Sequence, residues 1–505
     1  MKIASKDNSA VSMVKEALDK AKCCKNYNIF VSLNEEAALN RAKEIDEKIA
    51  KGEPVGRLAG VPYALKDNFL SKEGNTTASA KILEPFHAPI NSTTVEKLEK
   101  EGAIMIGRTN LDAFAHGSST ENSYFGPTLN AYDKERVAGG SSGGSAVAVA
   151  KGIVQFATGT DTGGSIRQPA SFNGVYGFKP TYGTISRYGV VAMASSTDCI
   201  GFFARSAEDI DLLMSICSGQ DPKDMTTLPD YYGADGTELC VPSSDNGSVS
   251  TSSAHNDGPE RSRGMQSCCS SAPYKIGVIK DFDLSKVDPA VKSAFDAKVA
   301  ELKAEGHEIV ELSMPALKYA LAVYYIIVPA EVASNLSRYD GIRYGYRSED
   351  AKSLDDVFAL SRGAGFMPEN KRRIMIGNFV LSSGFYDAYY LKAEKARTLI
   401  IEEYNNAFKK CDFIITPVSP SPAFKLGEKV NDPVSMYLED VMSVPLNLAG
   451  VPGLAIPAGE TETGLPVGLQ IVGPRRSDKA LLKFASTIAA KAQIAEAPKN
   501  NEEQK

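Results

Sequence analysis

Apolar positions recur with helical spacing in the first fifty residues. Val11, Val14 and Leu18 fall on one face of a predicted helix, and residues 38–49 repeat the pattern in a second helix. The run GVPYALKDN that follows is short and almost continuously apolar, which is typical of a buried strand. This strand ends at Lys66, so the sequence predicts a lysine at the carboxyl end of a buried strand.

Helical and strand-like patterns alternate further along the chain. The predicted strands are AIMIGRTN, VQFATGTDT, KIGVIKD and HEIVELSMP, and the predicted helices are STTVEKLEKEG, GGSAVAVAKG, IDLLMSIC and VKSAFDAKVAELKAEG. The spacings Thr93–Glu96 and Ser206–Asp209 predict capping boxes at the starts of two of these helices. Such alternation predicts an α/β fold in which helices cover a sheet.

One segment breaks this pattern. Residues 242–272 are rich in Ser, Gly, Asn and Asp and nearly lack large apolar side chains, so they bury too little surface to offset the entropy of ordering. We interpret them as a flexible surface insertion, with a regulatory or partner-binding loop as the alternative. Residues 497–505 form a highly polar tail that we expect to be frayed, which leaves residues 1–496 as the predicted domain.

Composition and charge narrow the class of protein. Of the 505 residues, 43% are hydrophobic and 23% charged, which is normal for a soluble globular protein. The net charge of -6 disfavours direct binding of nucleic acid, so any RNA is expected to be held by a partner. No run approaches the roughly 18 apolar residues of a membrane span, and the N-terminus lacks the apolar core of a secretion signal. We therefore expect a cytoplasmic protein.

Cysteine and histidine usage restricts the possible chemistry. None of the eight cysteines forms a C-x-x-C pair, so we expect free thiols and no zinc site. Only four histidines occur, which leaves few candidates for a histidine base. A hydrolase built on this chain would therefore favour another base.

Two stretches rich in glycine and serine are candidates for an active site. They are AGGSSGGSA at 138–146 and GTDTGGSIRQPA at 159–170, and their apolar surroundings argue against flexible linkers. Glycines let backbone amides converge, and a serine beside such amides could be a nucleophile next to an oxyanion hole. Neither stretch supplies the lysine of a phosphate-binding loop, which disfavours a nucleotide-binding protein.

The segment from Gly139 to Gly143 also fits G-x-S-x-G, the nucleophile elbow of α/β-hydrolases. The preceding residues, YDKERVAGG, are polar rather than strand-like, and that fold would leave only His255 or His307 as the base. Lysine can replace histidine beside a catalytic serine. Burial at the end of its strand would lower the pKa of Lys66, whereas an ordinary surface lysine remains the alternative.

ALKDN, AGGSSGGSA and GTDTGGSIRQPA together resemble the signature of the amidase signature family, with Ser141 75 residues after Lys66 and Ser165 24 residues later. The resemblance covers nearly the whole chain outside the serine-rich insertion. It implies a single large α/β/α domain with a mixed central sheet, and a triad of Ser165 as nucleophile, Ser141 as relay and Lys66 as base. The resemblance also implies an oxyanion hole of backbone amides, from Thr162, Gly163, Gly164 and Ser165.

Within that family, residues 334–347, 371–393 and 427–453 are similar to the subgroup that supplies ammonia in tRNA-dependent amidotransferases. This similarity implies that Tyr324, Arg373 and Asp440 contact glutamine. The chemistry agrees, because the α-carboxylate suits a guanidinium and the α-ammonium suits a carboxylate. A structural pair of Arg373 and Asp440 is the alternative, and the adjacent Arg372 leaves open which arginine points inward.

The same similarity implies partners. A B subunit would bind ATP and Mg and activate Glu-tRNA(Gln), and a small C subunit would complete a heterotrimer, so no cofactor or metal is expected in this chain. Aspartyl-tRNA(Asn) stays open as a second acceptor. The competing interpretations are a stand-alone amidase acting on another small amide and a scaffold subunit with a dead site.

Overall fold

A computed structural model describes residues 1–229, 232, 273–282, 284 and 287–489. The predicted insertion at 242–272 and the predicted tail at 497–505 lie outside the described residues, so the domain limits of 1–496 stay a prediction.

The described residues form one mixed sheet of 11 strands. In chain order, β1 to β11 are Phe30–Leu33, Pro62–Lys66, Ile104–Thr109, Phe156–Asp161, Tyr176–Lys179, Cys199–Ala204, Lys275–Ile279, Glu308–Leu312, Phe413–Pro417, Gly453–Glu460 and Pro466–Val472. Their order across the sheet is β1-β3-β2-β4-β6-β5-β10-β11-β9-β7-β8. β2 runs parallel to β3 and β4, β7 runs parallel to β8 and β9, and the other pairs are antiparallel. This confirms the predicted α/β fold with a mixed central sheet.

Helices cover both faces of the sheet. In chain order, α1 to α14 are Ala10–Cys23, Glu35–Lys51, Thr93–Lys100, Gly143–Ala150, Arg167–Phe172, Ala207–Cys217, Pro289–Ala304, Ala320–Asn335, Leu354–Gly365, Pro368–Leu381, Lys392–Ala407, Pro433–Leu438, Val444–Ala449 and Asp478–Ala489. Successive residues of a strand point to opposite faces. Phe156 accordingly joins the apolar core that includes α3, α6 and α14, whereas Ala157 joins the core that includes α1, α2 and α4.

The predicted helix starts are confirmed at one position and wrong at another. The Ser206 side chain accepts from the backbone N–H of Asp209 and so caps α6 as predicted, although the structure records no reciprocal bond to the Asp209 side chain that would complete a capping box. For α3, however, the capping residue is Ser92, which accepts from the N–H of Val95, rather than Thr93. Three successive hydroxyl residues, STT, can each cap a helix, and the extended backbone of Ser92 selects the first of them.

One helical stretch, Pro315–Arg338, is long and apolar enough to cross a membrane by length and composition alone. In its most apolar segment of 18 residues, 61% of the segment is buried. Its central part is α8, which packs against α10 and α11 and belongs to an apolar core cluster. These contacts explain the hydrophobicity of the stretch as that of a core helix.

Candidate active site

Lys66 lies at the carboxyl end of β2, between the parallel neighbours β3 and β4, and its side chain is fully buried. Its Nζ is 2.9 Å from Ser141 Oγ, 2.7 Å from Ser142 Oγ and 2.8 Å from Thr160 Oγ1. The interpretation of Lys66 as an ordinary surface lysine is therefore wrong. β2 delivers it into a cluster of hydroxyl groups.

Burial lowers the pKa of Lys66 to about 7, because the charged ammonium is deprived of water. The carboxylates of Asp112, Asp161 and Asp198 act in the opposite direction but do not compensate. A large fraction of Lys66 is consequently a neutral amine near neutral pH. This is the form that can accept a proton.

The hydrogen bonds around Lys66 orient its lone pair. A neutral amine has two N–H donors and one acceptor position. Ser142 Oγ donates its own hydrogen to the carbonyl of Thr160, at 3.3 Å, so it accepts from Lys66. Thr160 Oγ1 accepts from Asn68 Nδ2, at 3.1 Å, and takes the second N–H of Lys66. The lone pair is then directed at Ser141, whose hydroxyl proton it can receive.

Ser165 lies in the turn between β4 and α5, beside the segment that carries Ser141. The backbone N–H of Ser142 donates to the carbonyl of Ser165 at 3.2 Å, which joins the two glycine-rich stretches. Ser165 retains 8% of its accessible surface, whereas Ser141 has none. The structure thus brings the three predicted triad segments together, with a direct side-chain bond between Lys66 and Ser141.

A buried ion pair anchors this turn, and sequence reasoning missed it. The carboxylate of Asp161 accepts from the amides of Gly164 and Ile166, at 2.9 and 3.1 Å, and from two nitrogens of Arg167. Burial alone would raise the pKa of Asp161, but the Arg167 guanidinium lowers it to about 2. Arg167 also donates to Asn447 at 2.7 Å, which ties the turn to α13. Both charges stood in the quoted motif, but only the fold shows that they pair.

One of the four backbone amides predicted to form the oxyanion hole already donates to the Asp161 carboxylate. The amide of Gly164 already donates to Asp161, so it is engaged within the turn. Within the described part of the chain, the amides of Thr162, Gly163 and Ser165 donate to no protein group. Three of the four predicted amides are therefore available to an oxyanion.

The absence of a Cβ at Gly163 and Gly164 leaves room for the side chains that pack against the turn. A Cβ on Gly163 would lie 2.6 Å from Tyr324 Oη, and a Cβ on Gly164 would collide with the hydroxyl of Ser443. Gly164 also has a positive φ of 141°, which side chains rarely adopt. Glycine at these positions allows Tyr324 to pack directly on the turn.

Arg373 is the arginine that points inward. It is buried in α10, where its Nε donates to Glu369 Oε1 at 2.8 Å and its guanidinium lies 5.3 Å from the ring centroid of Tyr325. Arg372 also pairs with Glu369, but 40% of its side chain is exposed. This answers the question that the adjacent pair left open in the sequence.

Asp440 lies near the same turn, about 3.9 Å from where a Cβ on Gly164 would stand. Both of its carboxylate oxygens accept from Ser118 Oγ at 2.9 Å, and one accepts from Tyr325 Oη at 3.1 Å. Burial raises the pKa of Asp440 to about 7. A positively charged ligand beside it would favour the ionised form.

A cavity of about 190 Å³ lies beside Ser118, the hydrogen-bond partner of Asp440, although neither Asp440 nor the triad is among its lining residues. Arg373, Ser118, Asp112 and Tyr437 are among its lining residues. Asp112 was missed by sequence reasoning: it accepts the amide of Thr120 at 2.9 Å and so holds the loop that carries Ser118. Acidic and basic side chains both line the cavity. In the described ranges, no set of three or more metal-ligating side chains clusters.

Comparison with known proteins decides the family. The amidase family model matches residues 12–482. The chain belongs to the amidase family. This amidase is 47% identical over 489 residues to the Glutamyl-tRNA(Gln) amidotransferase A subunit of Carboxydothermus hydrogenoformans, and the match covers 96% of this chain and 94% of that protein.

Two further relatives carry the same name. The protein of Microcystis aeruginosa is 48% identical over 476 residues, covering 93% of this chain and 92% of that protein. The crystal structure of the Thermotoga maritima protein superimposes with a TM-score of 0.74 at 33% identity, covering 98% of this amidase and 96% of that chain. The similarity is thus nearly full-length in sequence and in fold.

Proposed function

We propose that this amidase is the glutamine-hydrolysing component of a tRNA-dependent amidotransferase, which supplies ammonia for the conversion of Glu-tRNA(Gln) to Gln-tRNA(Gln). The observation that carries the proposal is the buried Lys66 bonded to Ser141 beside the Ser165 turn, in a chain whose near full-length relatives bear that enzyme's name.

The proposed reaction begins with proton transfer. Ser165 Oγ attacks the carboxamide carbon of glutamine, its proton passes to Ser141 Oγ, and the proton of Ser141 passes to Lys66 Nζ. The tetrahedral oxyanion is stabilised by the free amides of Thr162, Gly163 and Ser165. Ammonia leaves after taking a proton back through Ser141, and a glutamyl ester remains on Ser165. Water activated by the same relay then releases glutamate and restores the serine.

The proposed glutamine contacts follow from charge. The α-carboxylate binds Arg373, the α-ammonium binds Asp440, and Tyr324 contacts the substrate from its place against Gly163. The α-ammonium restores the ionised form of Asp440, whose pKa burial has raised. On this proposal, a free amino acid, which has both charges, suits the site better than a simple amide.

Replacing Arg373 with lysine tests the carboxylate contact. The expected result is a rise in the KM for glutamine of roughly 10- to 100-fold with a smaller change in kcat, since a lysine keeps the charge but not the planar guanidinium fork. Steady-state glutaminase kinetics measures both constants. Arg372→Lys is the matched control: that side chain borders the same cavity, but 40% of it is exposed, and its replacement should change KM less than about threefold. Equal effects of the two substitutions would refute the assignment.

The pH dependence of kcat tests the base. Because only neutral Lys66 accepts a proton and its pKa is lowered to about 7, kcat should rise with pH through about 7 and then level off. Measuring kcat at saturating glutamine from pH 5.5 to about 9.5 separates this ionisation from the effect of Asp440 on substrate binding. A rise that began only near the usual pKa of lysine, about 10, would contradict the assignment.

We assign the activation of Glu-tRNA(Gln), which accepts the ammonia, to partner subunits. A B subunit that uses ATP and Mg activates Glu-tRNA(Gln), a C subunit completes the heterotrimer, and the assembly works in the cytoplasm. The acidic charge of this chain supports tRNA binding by another component of the complex. Glutamine-dependent formation of Gln-tRNA(Gln) by the chain reconstituted with B and C subunits is the decisive test. Full activity on small amides without any gain from partners would favour a stand-alone amidase instead.

A further inference from the structure

His116 lies in the loop between β3 and α4, and its imidazole is fully buried. Its Nδ1 is 2.7 Å from the side-chain nitrogen of Asn370 in α10, whereas its Nε2 has no hydrogen-bond partner among the described residues. A buried polar atom is normally paired, because an unpaired one loses its hydrogen bonds to water without replacement. The unpaired Nε2 therefore requires an explanation.

The hydrogen bonds of Asn370 determine which nitrogen of the imidazole carries the proton. Asn370 Oδ1 accepts from the backbone N–H of Met367 at 3.1 Å, so the amide nitrogen is the atom that faces His116. An amide nitrogen only donates, so Nδ1 accepts, and the hydrogen of the neutral ring is on Nε2. Burial lowers the pKa of His116 well below its ordinary value, and the charge of Arg373 lowers it further, so the ring stays neutral. Nε2 is thus an N–H donor without an acceptor.

This donor lies next to the proposed glutamine contacts. Asn370 and Arg373 stand one turn apart on the buried side of α10, so the imidazole that Asn370 holds is a neighbour of the Arg373 side chain. Two residues after the histidine, Ser118 lines the cavity that Arg373 also lines and donates to Asp440. The imidazole itself is not among the lining residues of that cavity. It forms part of the wall behind them, beside the guanidinium.

The backbone that carries His116 adopts a conformation that side chains rarely take. Phe114 and Ala115 have positive φ angles of 56° and 63°. Strain of this kind is found most often at binding and catalytic sites, where the surrounding structure maintains it. Here the ring of Phe114 packs against Tyr339 and Phe366, with centroids 5.0 and 5.4 Å apart. The loop therefore holds the imidazole in a fixed position.

A donor beside a guanidinium suits an anion, because both groups offer only hydrogen-bond donors. The Nε of Arg373 already donates to Glu369, so the guanidinium cannot offer the fork that includes Nε to a carboxylate. A second donor nearby would complete the contact. Resting on the proposed function, we propose that the Nε2–H of His116 donates to the α-carboxylate of glutamine beside Arg373. His116 would then select amides that carry an α-carboxylate.

Replacing His116 with methionine tests the contact, since methionine is apolar and has no N–H. In His116→Met the KM for glutamine should rise roughly 10- to 100-fold with kcat changed less than about threefold, as expected for a lost hydrogen bond to a charged group. The compound γ-aminobutyramide is glutamine without its α-carboxylate. Its inhibition constant as a competitive inhibitor should change less than about twofold in the same variant.

A purely structural role of His116 would weaken binding of both molecules alike, and that result would overturn the inference. An unchanged KM for glutamine in His116→Met would also overturn it, since Nε2 would then bind an internal water only. A wild type that fails to hydrolyse glutamine would instead overturn the proposed function.

Two further variants control the experiment. His116→Gln is the conservative variant, because a glutamine side chain can place an N–H near the position of Nε2, and its KM should stay closer to that of the wild type than that of His116→Met. His307→Met is the matched control. The Nδ1 of His307 also accepts a hydrogen bond, from Tyr274 at 3.0 Å, but its ring packs against Phe484. This control should leave the KM for glutamine and the inhibition constant unchanged.

A direct measurement does not depend on whether His116→Met folds. The chain has only four histidines, so the Nε2–H of His116 can be followed by NMR in protein with ¹⁵N-labelled histidine and assigned by its loss in His116→Gln. Ser165→Ala should bind glutamine without hydrolysing it. Glutamine should move this proton resonance downfield in Ser165→Ala, and γ-aminobutyramide should not. An unmoved resonance, or the same shift with both molecules, would overturn the inference and leave the proposed function standing.

Discussion

Ser165→Ala is expected to lower kcat for glutamine hydrolysis by at least about 10⁴-fold. The substitution removes the only atom that forms the glutamyl ester in the proposed reaction. The remaining amides of the turn and the glutamine contacts can still bind substrate, so KM should change much less. Ammonia release measured under single-turnover and steady-state conditions determines both quantities.

A covalent probe gives the same prediction a direct readout. A serine-reactive fluorophosphonate should add its mass to the wild type at Ser165 and leave Ser165→Ala unlabelled. Ser145→Ala is the matched control, because Ser145 is a buried serine of α4 whose hydroxyl bonds Thr109, at 2.7 Å, rather than Lys66. The control should retain labelling and most activity. Wild-type turnover in Ser165→Ala would require another nucleophile.

The parts of the fold that were predicted from sequence are those fixed by local pattern. β2 and β3 have near-continuous apolar runs, and α1, α2 and α7 repeat apolar residues at helical spacing, so the sequence carries enough information for each. β5 and β6 pair with each other and with other strands of the sheet. Their short apolar runs alone were not enough to identify them as strands. Strand order depends on long-range packing that no local pattern encodes.

The site divides in the same way. The glycine-rich stretches and the strand-ending lysine have recognisable local sequences, so the segments of the triad were predictable. The engagement of the Gly164 amide by Asp161 was not, because it depends on how the chain closes between β4 and α5. The choice between Arg372 and Arg373 required the orientation of α10, since neighbouring helical residues differ by about 100° in direction.

Lys66→Met should lower kcat about as much as Ser165→Ala, because the relay then has no group to receive the proton. Its remaining activity should also lose the rise through about pH 7 that the lysine confers. Glutaminase assays across pH measure both effects. Lys179→Met is the matched control: Lys179 is also a fully buried lysine whose pKa burial lowers, but it donates to the carbonyl of Pro180 and not to Ser141. Its kcat should fall less than about tenfold.

The stability of the same variant tests whether Lys66 is neutral in the folded protein. The folded pKa is about 7 and the ordinary value is 10.5, so between these values the unfolded chain binds one more proton than the folded one. The contribution of Lys66 to the free energy of unfolding therefore rises with pH in this window, by about 1.4 kcal/mol per pH unit. Urea denaturation gives the free energy of unfolding of the wild type and of Lys66→Met. The wild type should be more stable relative to the variant at pH 9 than at pH 7.5. A difference independent of pH would mean that Lys66 stays charged in the fold, and a charged lysine cannot be the base.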